Sequence, residues 1–506
     1  MLPHVHSLLR PAGRLGLLLT ALAAVLPAQF QHGRGADIRR LSALLAAGDE
    51  PASRKLATAL VTAGIAQRDA ALLNDVAWVI VDPVAEVAHR DLELAMRAAT
   101  QAVEWSAWEQ PSAIDTLARV HAWQGDIATA AAVQQRALTQ LYTTSDKVNR
   151  GSIAAAVVEY RQRLLADAPP PPDANKRLRV PAGCAPAAAA SLDGWCKVVV
   201  HKATGLRFRL VGGEFTMGAA PDDAAGLVPH GNAAKQAAAE AVEQPQRRVR
   251  VSPFYLAEQE TSVAVWRKFV DAVGYLTDAQ LDETERGGIS LRVESDDMAR
   301  IYLADDATWA NPLPYFAARG SHTLDERHPV AQVSWCDAMM FCAHFGLRLP
   351  TEAEWEQGCR GGTSTRFWWG DDASDGKDKD NVLDVPGAKY AIRAAAKSAF
   401  PFHDGHCFFA PVDAFPPNPF GLRCMHGNVA EWCADLADAR LLARMPADAV
   451  TVDPVGAPTQ ATRHTAVQRG GNWSSRPELA RAAARRFARI DRRDAGTGFR
   501  AALSRH

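Results

Sequence analysis

The sequence contains no C-x-x-C pair, and no cysteine at all before residue 184. That absence argues against thioredoxin-like redox chemistry and against the common zinc frameworks. Net charge is almost absent too: 56 Lys and Arg stand against 57 Asp and Glu. The balance excludes a strongly basic nucleic-acid binder and an acidic solvating tail as descriptions of the whole chain. No apolar run reaches the roughly 18–20 residues of a membrane-spanning helix, apart from a shorter, borderline one at the N-terminus. What is there is 506 residues of ordinary globular composition, 48% apolar and 22% charged, enough for two or three domains.

Arg10 and Arg14 flank the start of a 12-residue apolar core, Leu15 to Leu26, and Pro27–Ala28 then offers a small residue. This pattern predicts a secretory signal over 1–28. The alternative is an uncleaved anchor, and the core is short for one. The expected location is outside the cytoplasm (periplasmic, cell-surface or secreted), with no stable membrane span once the signal is removed. The eight cysteines are even in number, which in an oxidising compartment predicts disulfides. Cys184 and Cys196 are candidates for a local loop. Cys336 and Cys342, six apart on one predicted helix, do not face each other and need other partners or none.

Residues 36–166 are rich in Ala and Leu and predict an all-helical domain. Asp91, Ala95 and Ala102 recur as Asp126, Ala130 and Ala137, and the segment at Asp75 recurs at Asp115. The pattern resembles tetratricopeptide repeats, in which stacked helical hairpins bury faces that one hairpin cannot. A plain helical bundle is the alternative; either form presents a face to another protein. Four consecutive prolines, Pro169 to Pro172, then mark a stiff linker over 167–195. From 196 to 506, frequent Trp, Gly and Pro predict an α+β domain with much irregular structure.

Five segments after residue 205 arrive in a fixed order. They are Gly212 to Gly218; Phe254 to Tyr275; His328 to Glu356, containing RLPTEAEWE; Gly421 to Trp432, containing GNVAEW; and Arg469 to Trp473, closing at Gly498–Phe499–Arg500. Most of these residues read as structural. Thr351 and Glu354 form a capping box, Trp355 packs inward, and Gly470–Gly471 permits close approach or positive φ before Trp473. Together the segments resemble the sulfatase-modifying-factor, or formylglycine-generating enzyme, family over about 300 residues. The resemblance implies a loop-rich variant of the C-type lectin fold. It also implies an oxidase that converts a sulfatase cysteine to formylglycine with copper held by two cysteines.

The sequence departs from that enzyme. Counting from Gly470, the sixth and eleventh positions, where the family carries its copper thiolates, are Ser475 and Ala480; a one-residue gap would make the second Leu479. No cysteine follows Cys433. Hydroxyl and methyl groups are not soft ligands for Cu(I), so a copper cofactor is not expected. Cys342 and Cys359 match family positions whose C-terminal partners are missing, Ala501 standing at one of them.

The resemblance implies two structural calcium sites. The first uses the side chains of Asn381 and Asp404 and the carbonyls of Val382 and His406. The second uses the carbonyls of Gly427 and Val429 and the carboxylate of Glu431, with Cys424 where an Asn or Asp is usual. Calcium takes six to eight such oxygens. His403 and His406 flank Asp404, but two histidines and one aspartate are a thin basis for zinc. Substrate-pocket candidates are Trp473, Ser475 and one of Arg485 and Arg486, the arginines being equally readable as intramolecular ion pairs. The leading expectation is thus an exported binding module for a protein, peptide or glycan that has lost the copper site. The competing one is an oxidoreductase of the same family acting on an exported substrate. Exported protein is expected to begin near Gln29, and N-terminal sequencing checks this; recovery of the intact N-terminus from a membrane pellet would count against it.

Overall fold

The computed structural model describes residues 35–505 apart from 84, 86, 143–146, 168–177, 189, 190, 222, 224–240, 282–286, 296, 297, 388–398, 458, 460, 461 and 463. The predicted signal and the proline run lie outside the described residues. Among those described, no helix is long and apolar enough to cross a membrane.

Seven helices come first among the described residues: α1 Gly35–Ala46, α2 Glu50–Gln67, α3 Ala70–Val81, α4 Leu92–Trp105, α5 Pro111–Trp123, α6 Ile127–Gln140 and α7 Lys147–Asp167. Aspartates start four of them. Asp49, Asp69, Asp91 and Asp126 accept from the backbone N–H of Ala52, Leu72, Leu94 and Thr129, each cap stabilising by about 1 kcal/mol. Asp91 and Asp126, matched in the sequence repeat, therefore do the same work. Ala95, Ala98, Ala99 and Ala102 are wholly buried on α4, and small residues there let neighbouring helices approach. Each helix packs on the next, and alternate helices touch as well.

The rest of the chain is a mixed α+β unit. Its strands are β1 Cys184–Pro186, β2 Ser191–Leu192, β3 Trp195–Cys196, β4 Val198–His201, β5 Arg207–Met217, β6 Arg247–Ala257, β7 Gly288–Ser295, β8 Met298–Ala304, β9 Ala430–Leu436, β10 Thr451–Val452, β11 Thr465–Arg469, β12 Arg486–Arg489, β13 Thr497–Gly498 and β14 Ala502–Leu503. Its helices are α8 Val263–Val273, α9 Asp278–Leu281, α10 Pro314–Ala317, α11 Trp335–Phe345, α12 Glu352–Arg360, α13 Leu441–Arg444 and α14 Pro477–Ala480. One sheet runs β1-β4-β5-β6-β10, with β14 also on β6; a second runs β12-β11-β9-β13; β2-β3 and β7-β8 are separate hairpins. Helix α12 packs against β5 and β6 of the first sheet and β9 and β11 of the second, joining the two. Its start is the predicted capping box: Glu354 N–H donates to Thr351 Oγ1, and Thr351 N–H donates to the Glu354 carboxylate.

Two expectations are corrected. Residues 184–186, expected in the linker, form an edge strand antiparallel to β4, so the folded unit begins before residue 196. Seven of the eight cysteines are buried, and no disulfide joins any pair of them among the described residues, so the expected disulfides are not seen. Cys184 stands opposite His201 on one ladder and Cys196 opposite Ser191 on another, and both pack in the same core cluster. Cys336 and Cys342 are buried in the core along α11, while Cys359 and Cys433 lie in a separate core cluster. Buried thiols of this kind pack as small apolar groups.

Helix α7 does not stop at the helical domain but lies on α11. Arg150 is fully buried there. It donates to Asp278 Oδ1 at 2.8 Å and to the Leu276 carbonyl at 2.5 Å, and stacks on the Tyr275 ring at 4.5 Å. Asp337 lies 4.0 Å from the same guanidinium and accepts from Tyr275 Oη at 2.7 Å. Burial, with Asp278 alongside, pushes the Asp337 carboxyl up to about 6. Gly151 allows the close approach: a Cβ there would stand 2.9 Å from Cys336 Sγ and 3.0 Å from the Trp335 ring. At the edge of this contact, Arg161 donates to the Ala343 carbonyl at 2.9 Å. Removing one partner of a buried ion pair costs about 3–5 kcal/mol, whereas the two peripheral hydrogen bonds of Arg161, to the Ala343 carbonyl and Gln135 Oε1, cost about 1 each. Arg150→Ala is therefore expected to lower the urea-unfolding midpoint of the full chain far more than Arg161→Ala.

Candidate functional site

Strand β11 ends at Arg469, and Gly470–Gly471 follow with φ of 91° and 70°. A side chain at Gly470 would stand 2.9 Å from the Trp355 ring, so glycine is needed for space as well as for conformation. The chain then makes a tight turn closed by Asn472. Its Oδ1 accepts from Ser474 N–H at 3.0 Å, Ser474 Oγ at 2.9 Å and Ser475 Oγ at 3.1 Å. Asn472 N–H in turn donates to Ser475 Oγ at 2.9 Å. The Ser475 hydroxyl is thus buried and used in both directions, and no base touches it.

Trp473 is placed beside Ser475 in sequence but faces elsewhere. Its Nε1 donates to the Ala495 carbonyl at 3.1 Å, and its ring meets Phe408 and Phe409 edge-on. Ala480 ends α14. Its carbonyl accepts from His426 Nδ1 at 2.6 Å, and its methyl packs with Phe367, Val382 and Phe400. His426 Nε2 accepts from Trp368 N–H at 3.1 Å, which fixes the tautomer, and burial drives the ring down to about 3. Cys359 Sγ stands 3.5 Å from that nitrogen. Of the loop's side chains, Leu479 is open, at 49% exposure.

Copper held by two thiolates does not fit this arrangement. The matching positions offer a hydroxyl already engaged by Asn472 and a methyl in an apolar cluster. Cys424 packs with Ala410 and Phe415, and Cys433 lies in the core between the sheets.

The arginines separate. Arg485 grips Glu352 with two hydrogen bonds of 2.6 Å and donates to the Val242 carbonyl at 2.6 Å. Its guanidinium is buried and committed, so it is a structural residue and not a free anion site. Arg486 is half exposed on β12, 3.9 Å from Asp494.

In the first predicted metal set, Val382 and His406 meet Asp404 through their backbone N–H groups. Asp404 Oδ2 accepts from Val382 N–H at 2.9 Å and Oδ1 from His406 N–H at 2.8 Å. Burial pushes the Asp404 carboxyl up to about 7. Asn381 is wholly buried; its Nδ2 donates to the Phe408 carbonyl and to Asn428 Oδ1, while its Oδ1 has no partner. A buried side-chain oxygen without a partner is the kind of donor a hard cation such as calcium takes, and the next residue along the chain donates to the Asp404 carboxylate. The second set fits less well. Glu431 is clasped by Arg500 with bonds of 2.7 and 2.6 Å and accepts from Trp355 Nε1 at 2.7 Å. Gly427 is pressed against the Asn381 carbonyl, and Val429 N–H donates to Glu260 at 3.0 Å. Sequence reasoning missed Asp384, a wholly buried carboxylate that accepts from Asp404 N–H at 3.1 Å. Its only signal is the short Asn381-x-x-Asp384 spacing.

Taken together, the two joined sheets, the Gly470–Gly471 turn and the loop around Asp404 define a sulfatase-modifying-factor type of domain. Residues 207–505 match the family described as Sulfatase-modifying factor enzyme 1-like domain, and the chain belongs to that family. A formylglycine-generating enzyme of Thermomonospora curvata is 36% identical over 279 residues, covering 51% of this chain and 85% of that protein. One of Bos taurus is 36% identical over 278 residues, covering 51% and 68%. An inactive C-alpha-formylglycine-generating enzyme 2 of Bos taurus is 32% identical over 206 residues, covering 38% and 63%.

The two neighbouring arginines give a direct test. Arg485→Ala removes both hydrogen bonds to the buried Glu352, leaving it only Arg469 at 3.6 Å, and is expected to destabilise the chain by about 3–5 kcal/mol, whereas Arg486→Ala on the surface changes stability by less than about 0.5. Denaturant unfolding of the two variants checks this, and equal effects would return Arg485 to the list of free binding residues.

Proposed function

We propose that the chain is an exported binding module of this family that keeps the enzyme's fold and has lost its copper chemistry. The observation that carries the reading is the Ser475 hydroxyl, closed into the Asn472 turn, with Ala480 at the second ligand position and no thiol beyond Cys433. A relative described as inactive supports it. The ligand is a peptide, a protein or a glycan, taken at the surface around the exposed Leu479, above the buried Ser475. The helical domain contacts a second protein, and the balanced charge argues against nucleic acid.

A structural calcium ion belongs to the reading, held by the side chains of Asn381 and Asp404 and the carbonyls of Val382 and His406. When bound it supplies charge to two buried loops and no redox chemistry. A chelator is expected to lower the melting temperature, and added calcium to restore it, because ligand binding to the native state stabilises it. An unchanged melting curve would reject the ion.

Oxygen consumption with a cysteine-containing sulfatase peptide tests the function. No peptide-dependent uptake is expected, with or without added copper, and Ser475→Ala is expected to behave like the parent chain. Uptake that disappears in Ser475→Ala would make that residue catalytic and end the binding-module reading.

A further inference from the structure

We propose that the outer edge of strand β8 is a self-association surface, on which a second copy of this chain pairs its own β8 antiparallel. The hairpin β7-β8 of one protomer then continues into β8-β7 of its partner as one sheet. Failure of this pairing would leave the ligand reading above standing.

Strands β7 and β8 form a hairpin of their own, and β7 is the strand tied by backbone hydrogen bonds to the segment around Asp494. Ile289 N–H donates to the Arg493 carbonyl at 3.0 Å, and the Ile289 carbonyl accepts from Ala495 N–H at 3.0 Å. The Val293 carbonyl, four residues along on the same side, accepts from Tyr315 Oη at 2.8 Å. These backbone groups therefore point away from β8. In an antiparallel ladder the residue opposite such a position also points away from its neighbour, and the pattern repeats every second residue. Leu303 is opposite Ile289, and Ile301 is opposite Leu291. The N–H and carbonyl groups of Ile301 and Leu303 thus line the outer edge of β8. Among the described residues, no backbone hydrogen bond from outside the hairpin reaches Met298 to Leu303.

That edge is apolar as well as open. Ile301 and Leu303 are 55% and 50% exposed, on the hairpin face shared with Leu291 and Val293. Leu291 and Val293 pack against the cluster of Phe316, Phe408 and Trp473. The apolar face therefore begins under cover and runs out to solvent at β8. An exposed edge strand of this kind is a template for pairing with another chain, and monomeric proteins blunt it with lysine, proline or a covering loop. Residues 298–304, MARIYLA, hold neither lysine nor proline.

The charges select a second copy as the occupant. The exposed Arg300 stands before the apolar pair, and the exposed Asp305 and Asp306 follow it in the turn after Ala304. Partial burial, and then Asp306, raise the pKa of the Tyr302 hydroxyl, so Asp306 lies on the Tyr302 face of the hairpin, which Arg300 shares. In the antiparallel pairing Ile301 stands opposite the partner's Leu303, and Leu303 opposite the partner's Ile301. Both apolar pairs then meet on one face. On the other face, Arg300 of each protomer approaches the partner's Asp306 along a diagonal that a long side chain can span. A parallel pairing in register would instead set arginine against arginine and acid against acid.

The test is sedimentation of the purified full chain over a wide range of concentration, with melting curves to confirm that each variant folds. A reversible dimer is expected. Ile301→Lys changes an exposed side chain and is expected to weaken association by at least about tenfold. Arg300→Glu and Asp306→Arg are each expected to weaken it too, because each sets like charges against one another across the ladder. Chains of these two variants complement each other at both charge pairs, so their mixture is expected to associate more tightly than either alone. A chain that stays monomeric at every concentration, whether or not β8 takes up an unrelated extended peptide, would overturn the proposal. So would a dimer indifferent to Ile301→Lys, or one with no gain on mixing.

Discussion

Buried backbone carbonyls in irregular segments must be hydrogen-bonded, and in the family domain arginines anchored on glutamates do this. Arg469 pairs with Glu356 of α12 and donates to the carbonyls of Ala482, Ala483 and Ala484. Arg500 pairs with Glu431 and donates to the carbonyls of Ala257, Arg423 and Cys424. Arg485 pairs with Glu352 and reaches the carbonyls of Val242 and Asp438. Each guanidinium has five donors in a fixed fork, enough to serve one carboxylate and several carbonyls at once. Lysine, with a compact ammonium, could not span these geometries.

The same device ties the two halves of the chain together. Arg150 reaches from α7 to Asp278 and the Leu276 carbonyl, and the apolar core runs without a break from the helical domain into the residues beneath α11. The helical domain is therefore fixed against the second unit by a buried charge as well as by packing.

The family motifs prove to be scaffolding. Thr351 and Glu354 cap α12, Trp355 donates to Glu431, and Asn428 donates to Glu260 and accepts from Asn381 and Ala410. None of these contacts uses the residues that would hold copper. Ser475 bonds within its own turn and Ala480 sits in an apolar cluster, and the fold closes around both. Chemistry and architecture are separable here because they rest on different side chains.

Local signals and family likeness were legible in the sequence: the capping box at Thr351, the glycine pair before Trp473, the recurrence of Asp91 as Asp126, and the missing cysteines. Each depends on neighbours within a few residues or on the presence of an atom type, which a linear chain displays. The partners of buried charges were not legible. That Arg485 belongs to Glu352 and Arg486 to the surface follows from strand direction and from which side of β12 faces α12. The fate of the cysteines also waited on tertiary structure, because strand register decides which thiols can meet. Asp384 stands some twenty residues before His403 and Asp404 in sequence, and only the fold brings polar atoms of all three within 4.8 Å of one another.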